Sequence, residues 1–171
     1  MLDLTVQNDA LLMKSLHKFY SRNDTPWVHL LWNTYYTGKV PHAMSPRGSF
    51  WWRDVFKLSP TCRGITECKV LLGSSVLFWK DNWLGNEMAL THPRAYSFAA
   101  SQDISVREFL STGELAALFH LPLSPQALNE VRQIQLASAS ISLTVADVGD
   151  EWAFVWGSRK FTVSTYYKYC F

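Results

Sequence analysis

The sequence predicts an α+β fold: N-terminal helices, a central β-hairpin, further short helices, and a C-terminal β-hairpin leading into a truncated helix. Three observations predict it. Before residue 60, apolar residues recur at three- and four-residue spacing, the helical period. Two β-prone stretches then each surround a Gly-Ser pair, Gly73-Ser74 and Gly157-Ser158. Finally, the 171 residues are 48% hydrophobic and 15% aromatic but only 18% charged, which is enough apolar material for a real core. That composition excludes a disordered chain. Eight Gly and seven Pro exclude a collagenous or low-complexity one, and three Cys exclude a disulfide scaffold. No apolar run approaches the ~18 residues that a membrane-spanning helix needs.

The first helix is expected over 5–20. Ala10, Met13, Leu16 and Tyr20 share a face, and Asp3 or Thr5 can cap its start. Thr25-Pro26 begins a second helix, with Thr as cap and Pro in the first turn. Trp27, Leu30, Leu31 and Tyr35 form its apolar face, and Gly38 ends it. Pro41, Pro46 and Gly48 make 39–49 a loop. Ser49 caps a short helix over 50–58, closed by Ser59-Pro60.

The period then changes. Residues 67–70 and 76–79 flank Leu71-Leu72-Gly73-Ser74-Ser75 and read as a hairpin. Residues 81–87 are a polar turn, and 94–100 hold one turn of helix. Ser105 caps a helix to Leu110, with Glu108 three residues on as in a capping box. Residues 114–119 are a short helical stretch. Ser124-Pro125 starts a helix carrying Leu128, Val131 and Ile134, and ending near Leu136. Strict alternation over 137–145 predicts a strand near 141–145. Residues 152–156 and 159–163 flank Gly157-Ser158 as a second hairpin, and Ser164 caps a last helix to Phe171.

Sixteen Lys+Arg against fourteen Asp+Glu give +2, too small to imply nucleic-acid binding by charge alone. Three cysteines without a framework suggest reduced thiols and an intracellular setting. Cys62 and Cys68 with His42 or His92 lack the ligand spacing of a zinc knuckle. No Gly-x-Ser-x-Gly elbow occurs. Leu72-Gly73-Ser74-Ser75 lacks the glycine spacing and the Lys of a P-loop, so it reads as a turn and not as a phosphate cradle. Asp147, Asp150 and Glu151 flank Gly149 and read as turn residues. No catalytic residue, metal ligand or cofactor site is assigned. Phe50-Trp51-Trp52-Arg53 and Phe78-Trp79-Lys80-Asp81-Asn82-Trp83 set rings beside cations. Most of these rings are expected in the core. Arg53 and Lys80 are left as the candidate contacts to RNA or single-stranded DNA.

Six strings, in order, carry a resemblance. They are Leu2-Asp3-Leu4 with Asn8-Asp9-Ala10-Leu11-Leu12-Met13-Lys14; Pro26-Trp27-Val28 through Tyr35-Tyr36; and Ser49-Phe50-Trp51-Trp52-Arg53-Asp54. Next come Phe78-Trp79-Lys80-Asp81-Asn82-Trp83, following the turn Leu72-Gly73-Ser74, and Ile104-Ser105-Val106 through Phe109-Leu110. Last is Asp150-Glu151-Trp152 through Trp156-Gly157-Ser158, with Phe161-Thr162-Val163 and Tyr166-Tyr167. Together they resemble the region between the reverse transcriptase and its zinc-binding domain in plant LINE-type, non-LTR retrotransposon polyproteins. The motif residues are Trp51, Trp52, Trp79, Asp81, Trp83, Trp152 and Gly157.

The resemblance implies three pieces: a helical post-polymerase segment over 1–60, a mixed connector over 61–150, and the truncated start of the zinc-binding domain over 151–171. It implies a non-enzymatic fragment, because the polymerase's Asp-Asp dipeptide occurs nowhere in the sequence. The zinc ligands would lie beyond Phe171, and Met1 would be internal to a longer frame. Implied partners are the missing polymerase and zinc-binding modules, and RNA or single-stranded DNA, but no membrane. The location would be nuclear if the parent element is active. The competing expectation is a stand-alone protein-interaction module with an aromatic binding surface.

Overall fold

The computed structural model describes residues 4–37, 40, 48–145 and 148–171. The fold is α+β. The chain divides into two compact units: Met1–Glu67 together with Glu151–Phe171, and Cys68–Asp150. Segment 151–171 thus groups with the N-terminal helices.

In the first unit, α1 (Leu4–Tyr20) buries Ala10, Met13, Leu16, Phe19 and Tyr20, the stripe read from the sequence. α2 (Pro26–Tyr35) follows. Its Thr25 cap is extended but makes no side-chain cap bond. Asp3, Gly38 and the 41–47 part of the expected loop lie outside the described residues. Ser49 caps α3 (Phe50–Lys57) by accepting from the Trp52 N–H. Ser59-Pro60 does not close the helical run but opens α4 (Ser59–Gly64). Proline fits there because its missing N–H belongs to the first turn, where none is needed. α3, α4 and α10 (Val163–Cys170) all pack on α1. Thr162 caps α10, accepting from the Thr165 N–H, in place of the expected Ser164.

Phe19 is the centre of this packing. Its ring stacks on Trp32 at 4.8 Å and meets Trp52 edge-on at 4.8 Å. The Trp32 Nε1–H also donates to the Phe19 carbonyl. Nearby, the Tyr20 and Ser59 hydroxyls bond, and the buried Arg63 guanidinium lies 4.6 Å from the Tyr20 ring. Burial raises the Tyr20 pKa, against a smaller opposing effect of the Arg63 charge.

Strand pairing departs from the expected hairpins. β1 (Thr66–Lys69) pairs with β2 (Glu151–Phe154), distant in sequence, in a two-stranded antiparallel sheet. Residues 76–78 pair instead with 104–106: Phe78 N–H donates to Ile104 O, and Val106 N–H to Val76 O. The arm after Gly157-Ser158 forms no strand and turns into α10. Segment 141–145 is likewise irregular. Its Thr144 N–H donates to the Leu71 carbonyl.

The second unit contains α5 (Met88–Thr91), α6 (Pro93–Ser97), α7 (Val106–Ser111), α8 (Leu115–Leu118) and α9 (Pro125–Ser138). Ser105 and Ser124 cap α7 and α9 as the sequence predicts. α9 takes in Ala137 and Ser138 of the alternating stretch, because helical packing of Val131 and Ile134 overrides the two-residue period. Glu130 on α9 accepts from the Ala95 N–H in the first turn of α6, tying the two helices.

Candidate functional site

Helix geometry separates the rings of α3. Successive helical residues diverge by roughly 100°, so Trp52 turns inward and is 1% exposed, whereas Trp51 is 49% and Phe50 81% exposed. Trp52 packs against Phe19 and Phe56, and its Nε1–H donates to the Tyr36 hydroxyl at 3.0 Å. Trp51 meets the half-buried Trp27 edge-on at 6.0 Å. The Arg53 guanidinium sits over the Phe50 ring, 4.3 Å from its centroid. Phe50, Trp51, Arg53 and Trp27 therefore form a partly exposed aromatic surface with one cation on it.

The second motif folds as a tight turn in the other unit. Asp81 Oδ2 accepts from the Leu77 N–H at 2.6 Å, and the Asp81 N–H donates back to the Leu77 carbonyl. The turn buries Phe78, Trp79 and Trp83 together. Phe78 stacks on Phe109 with centroids 3.5 Å apart, Trp79 packs near Phe109, Phe119 and Tyr96, and the Trp83 Nε1–H donates to the Phe78 carbonyl. Lys80 is the exposed residue of the string, and its ammonium pairs with Asp103 at 2.6 Å. To reach a phosphate it must share or leave that carboxylate. Arg53 and Lys80 lie in different units.

Of the last string, Trp152 is buried in the first unit, 5.7 Å from Tyr20, and the Arg63 guanidinium lies 5.6 Å from its ring. Gly157 has φ +82°, and no other atom lies within 4 Å of where a Cβ would stand, so glycine serves there for backbone conformation alone.

The most developed polar arrangement lies where the sequence reads as a plain turn. The buried Asp150 carboxylate collects five donors. Oδ1 accepts from the N–H groups of Leu71, Leu72 and Gly73 at 2.9, 2.9 and 2.7 Å. Oδ2 accepts from the Ser75 hydroxyl at 2.6 Å and the Ser75 N–H at 3.4 Å. Gly73 makes this convergence feasible. Its φ is +74°, and a Cβ there would stand 3.0 Å from the Arg107 nitrogen. The first hairpin is absent because its expected arms pair elsewhere, β1 with β2 and residues 76–78 with 104–106. A Gly followed by two Ser was the available signal. Its acidic partner, 75 residues away from Ser75, had none. Asp147 lies outside the described residues.

Among the described residues, no group of three or more His, Cys, Asp or Glu could hold a metal ion. Cys62 and Cys68 are buried and Cys170 is exposed, and His42 lies outside the described residues. A cavity of about 370 Å³ in the second unit is lined by Leu110, Leu115, Leu118, Val131, Gln135 and Ile141 among others, with no titratable side chain in its wall. It offers shape without acid–base chemistry. No described helix is long and apolar enough to cross a membrane. In comparison with known proteins, no family model, no curated protein and no solved structure matches this chain.

Proposed function

We propose that this chain is a non-catalytic connector of a non-LTR retrotransposon reverse-transcriptase polyprotein, lying between the polymerase and the zinc-binding module. In that role it packs against both neighbours and offers Arg53 and Lys80 to the nucleic-acid path. The supporting observation is the division of labour within the motif strings. Trp52, Trp79, Asp81, Trp83 and Trp152 build the interiors of the two units, while Phe50 and Trp51, from the same strings, remain outside. Exposed rings in a low-charge chain suit a surface covered by another module.

The exposed pair Phe50 and Trp51 also favours a second reading, a protein-interaction module with an aromatic binding face. Salt dependence separates the two. Binding of the purified chain to a labelled single-stranded RNA should weaken steeply between low and physiological salt, as expected for phosphate contacts. It should weaken further in Arg53→Ala and Lys80→Ala. No detectable binding at low salt refutes the nucleic-acid role. The reading frame on both sides tests the parentage: a polymerase Asp-Asp motif upstream and Cys/His ligands downstream are expected.

A further inference from the structure

We propose that residues 71–75 form an oxyanion receptor occupied by the chain's own Asp150. The backbone N–H groups of Leu71, Leu72, Gly73 and Ser75 and the Ser75 hydroxyl all point to one carboxylate, four of the five bonds lying between 2.6 and 2.9 Å. Consecutive N–H groups turned to one side by a residue of positive φ make a concavity of positive potential that selects anions, whatever chain supplies them. Here the anion is internal. It arrives from the last residue of the second unit, and the receptor lies near that unit's first residues.

The carbonyl side of the same loop is held separately. The Arg107 N–H donates to Gly73 O, and the Thr144 N–H to Leu71 O. The loop is thus fixed from behind while its N–H face grips Asp150. Removing the carboxylate leaves a preformed set of buried donors without their acceptor, and such donors favour any small anion that fits. The receptor, once vacated, should accept a small carboxylate from solution. When Asp150 is in place it should be closed to one.

Chemical rescue tests this. In Asp150→Ala, removal of the carboxylate should lower the unfolding temperature. Sodium formate should restore it saturably, beyond the effect of sodium chloride at equal ionic strength, while the wild-type chain responds equally to both salts. A folded Asp150→Ala chain that responds to formate no more than to chloride overturns the proposal. Should that variant fail to fold, hydrogen exchange of Asp150→Asn decides. The Leu71, Leu72, Gly73 and Ser75 amides should exchange at least tenfold faster than in wild type, with the backbone-paired Phe78 and Val106 amides unchanged. Unchanged exchange at the four loop amides overturns the proposal.

Discussion

Replacing Trp52 and Trp51 separately by alanine puts the two faces of α3 to a direct test. The rings are adjacent in sequence, yet Trp52 is 1% exposed and Trp51 49%. Trp52→Ala empties the space between Phe19, Phe56 and Trp27, at a cost of about 3–5 kcal/mol for a buried tryptophan. It also strips the Tyr36 hydroxyl of its Nε1–H donor, which adds about 1 kcal/mol. The total, about 4–6 kcal/mol, is a large share of the roughly 5–15 kcal/mol that holds a domain folded. It corresponds to a fall in melting temperature on the order of 10–20 °C. Trp51→Ala loses an edge contact to Trp27 and a tilted one to Trp52 but leaves no sealed cavity, so about 1 kcal/mol is expected. Urea unfolding followed by far-ultraviolet circular dichroism reads both without relying on the tryptophan removed. Equal losses for the two variants, or a larger loss for Trp51→Ala, would refute the assignment of inner and outer faces. A further expectation follows for binding: if the aromatic surface is used, Trp51→Ala weakens association while leaving the fold nearly intact.

The remaining predictions concern caps, pH and one glycine. Ser124→Ala removes an acceptor bonded to the Ala127 N–H and should cost about 1 kcal/mol by denaturant unfolding, whereas Thr25→Ala, which breaks no cap bond, should cost a few tenths or nothing. Burial lowers the pKa of His17, beside the Phe154 ring, below its ordinary 6.5. The folded chain therefore binds fewer protons there than the unfolded one, so this contribution is complete above pH 6.5 and is lost as the pH falls below it. His17→Gln should flatten that slope in a pH series of unfolding temperatures. Burial raises Tyr20 and Tyr36 above their ordinary 10, so the folded state keeps protons the unfolded state gives up, and stability should fall as the pH rises through 10. Gly73→Ala forces a side chain onto a positive φ with a backbone nitrogen 3.0 Å away, and should cost about 1–3 kcal/mol. A neutral Gly73→Ala would show that the turn is not conformationally constrained.

Most helix starts are legible because their signals are local, but the inward face of α2 is Val28 and Trp32 and not the expected Trp27, Leu30, Leu31 and Tyr35, of which Leu30 is exposed. Ser49, Ser105 and Ser124 each sit within three residues of the N–H group they cap, and the stripe on α1 repeats every turn. Neighbouring signals of the same kind are ambiguous. Thr162 and Ser164 are both good caps by residue type, and the structure uses Thr162. Strand partners are not legible. Residues 67–70 have a partner within hairpin reach by pattern, but β2 takes that pairing, and Leu77 goes to Ser105. Such choices are made by tertiary packing, which leaves no periodic trace. The rings of the two motifs are expected mainly in the core, and Trp52, Trp79 and Trp83 lie there. The Asp150 receptor escapes a sequence reading because turn residues announce a bend without naming the anion that fills it.

The discontinuous make-up of the first unit also sets a schedule for synthesis. A ribosome adds roughly 5–20 residues per second. α1 leaves it well before α10, the helix it packs against, is made. Every residue of the second unit, Cys68–Asp150, is in hand before β2 and α10 exist. The earlier part of the chain must therefore wait, with the apolar stripe of α1 still uncovered by α10, while the later part already holds all it needs to close. The interval is seconds long by this arithmetic. It is the period in which the nascent chain is most open to chaperones, to proteases, or to a premature partner.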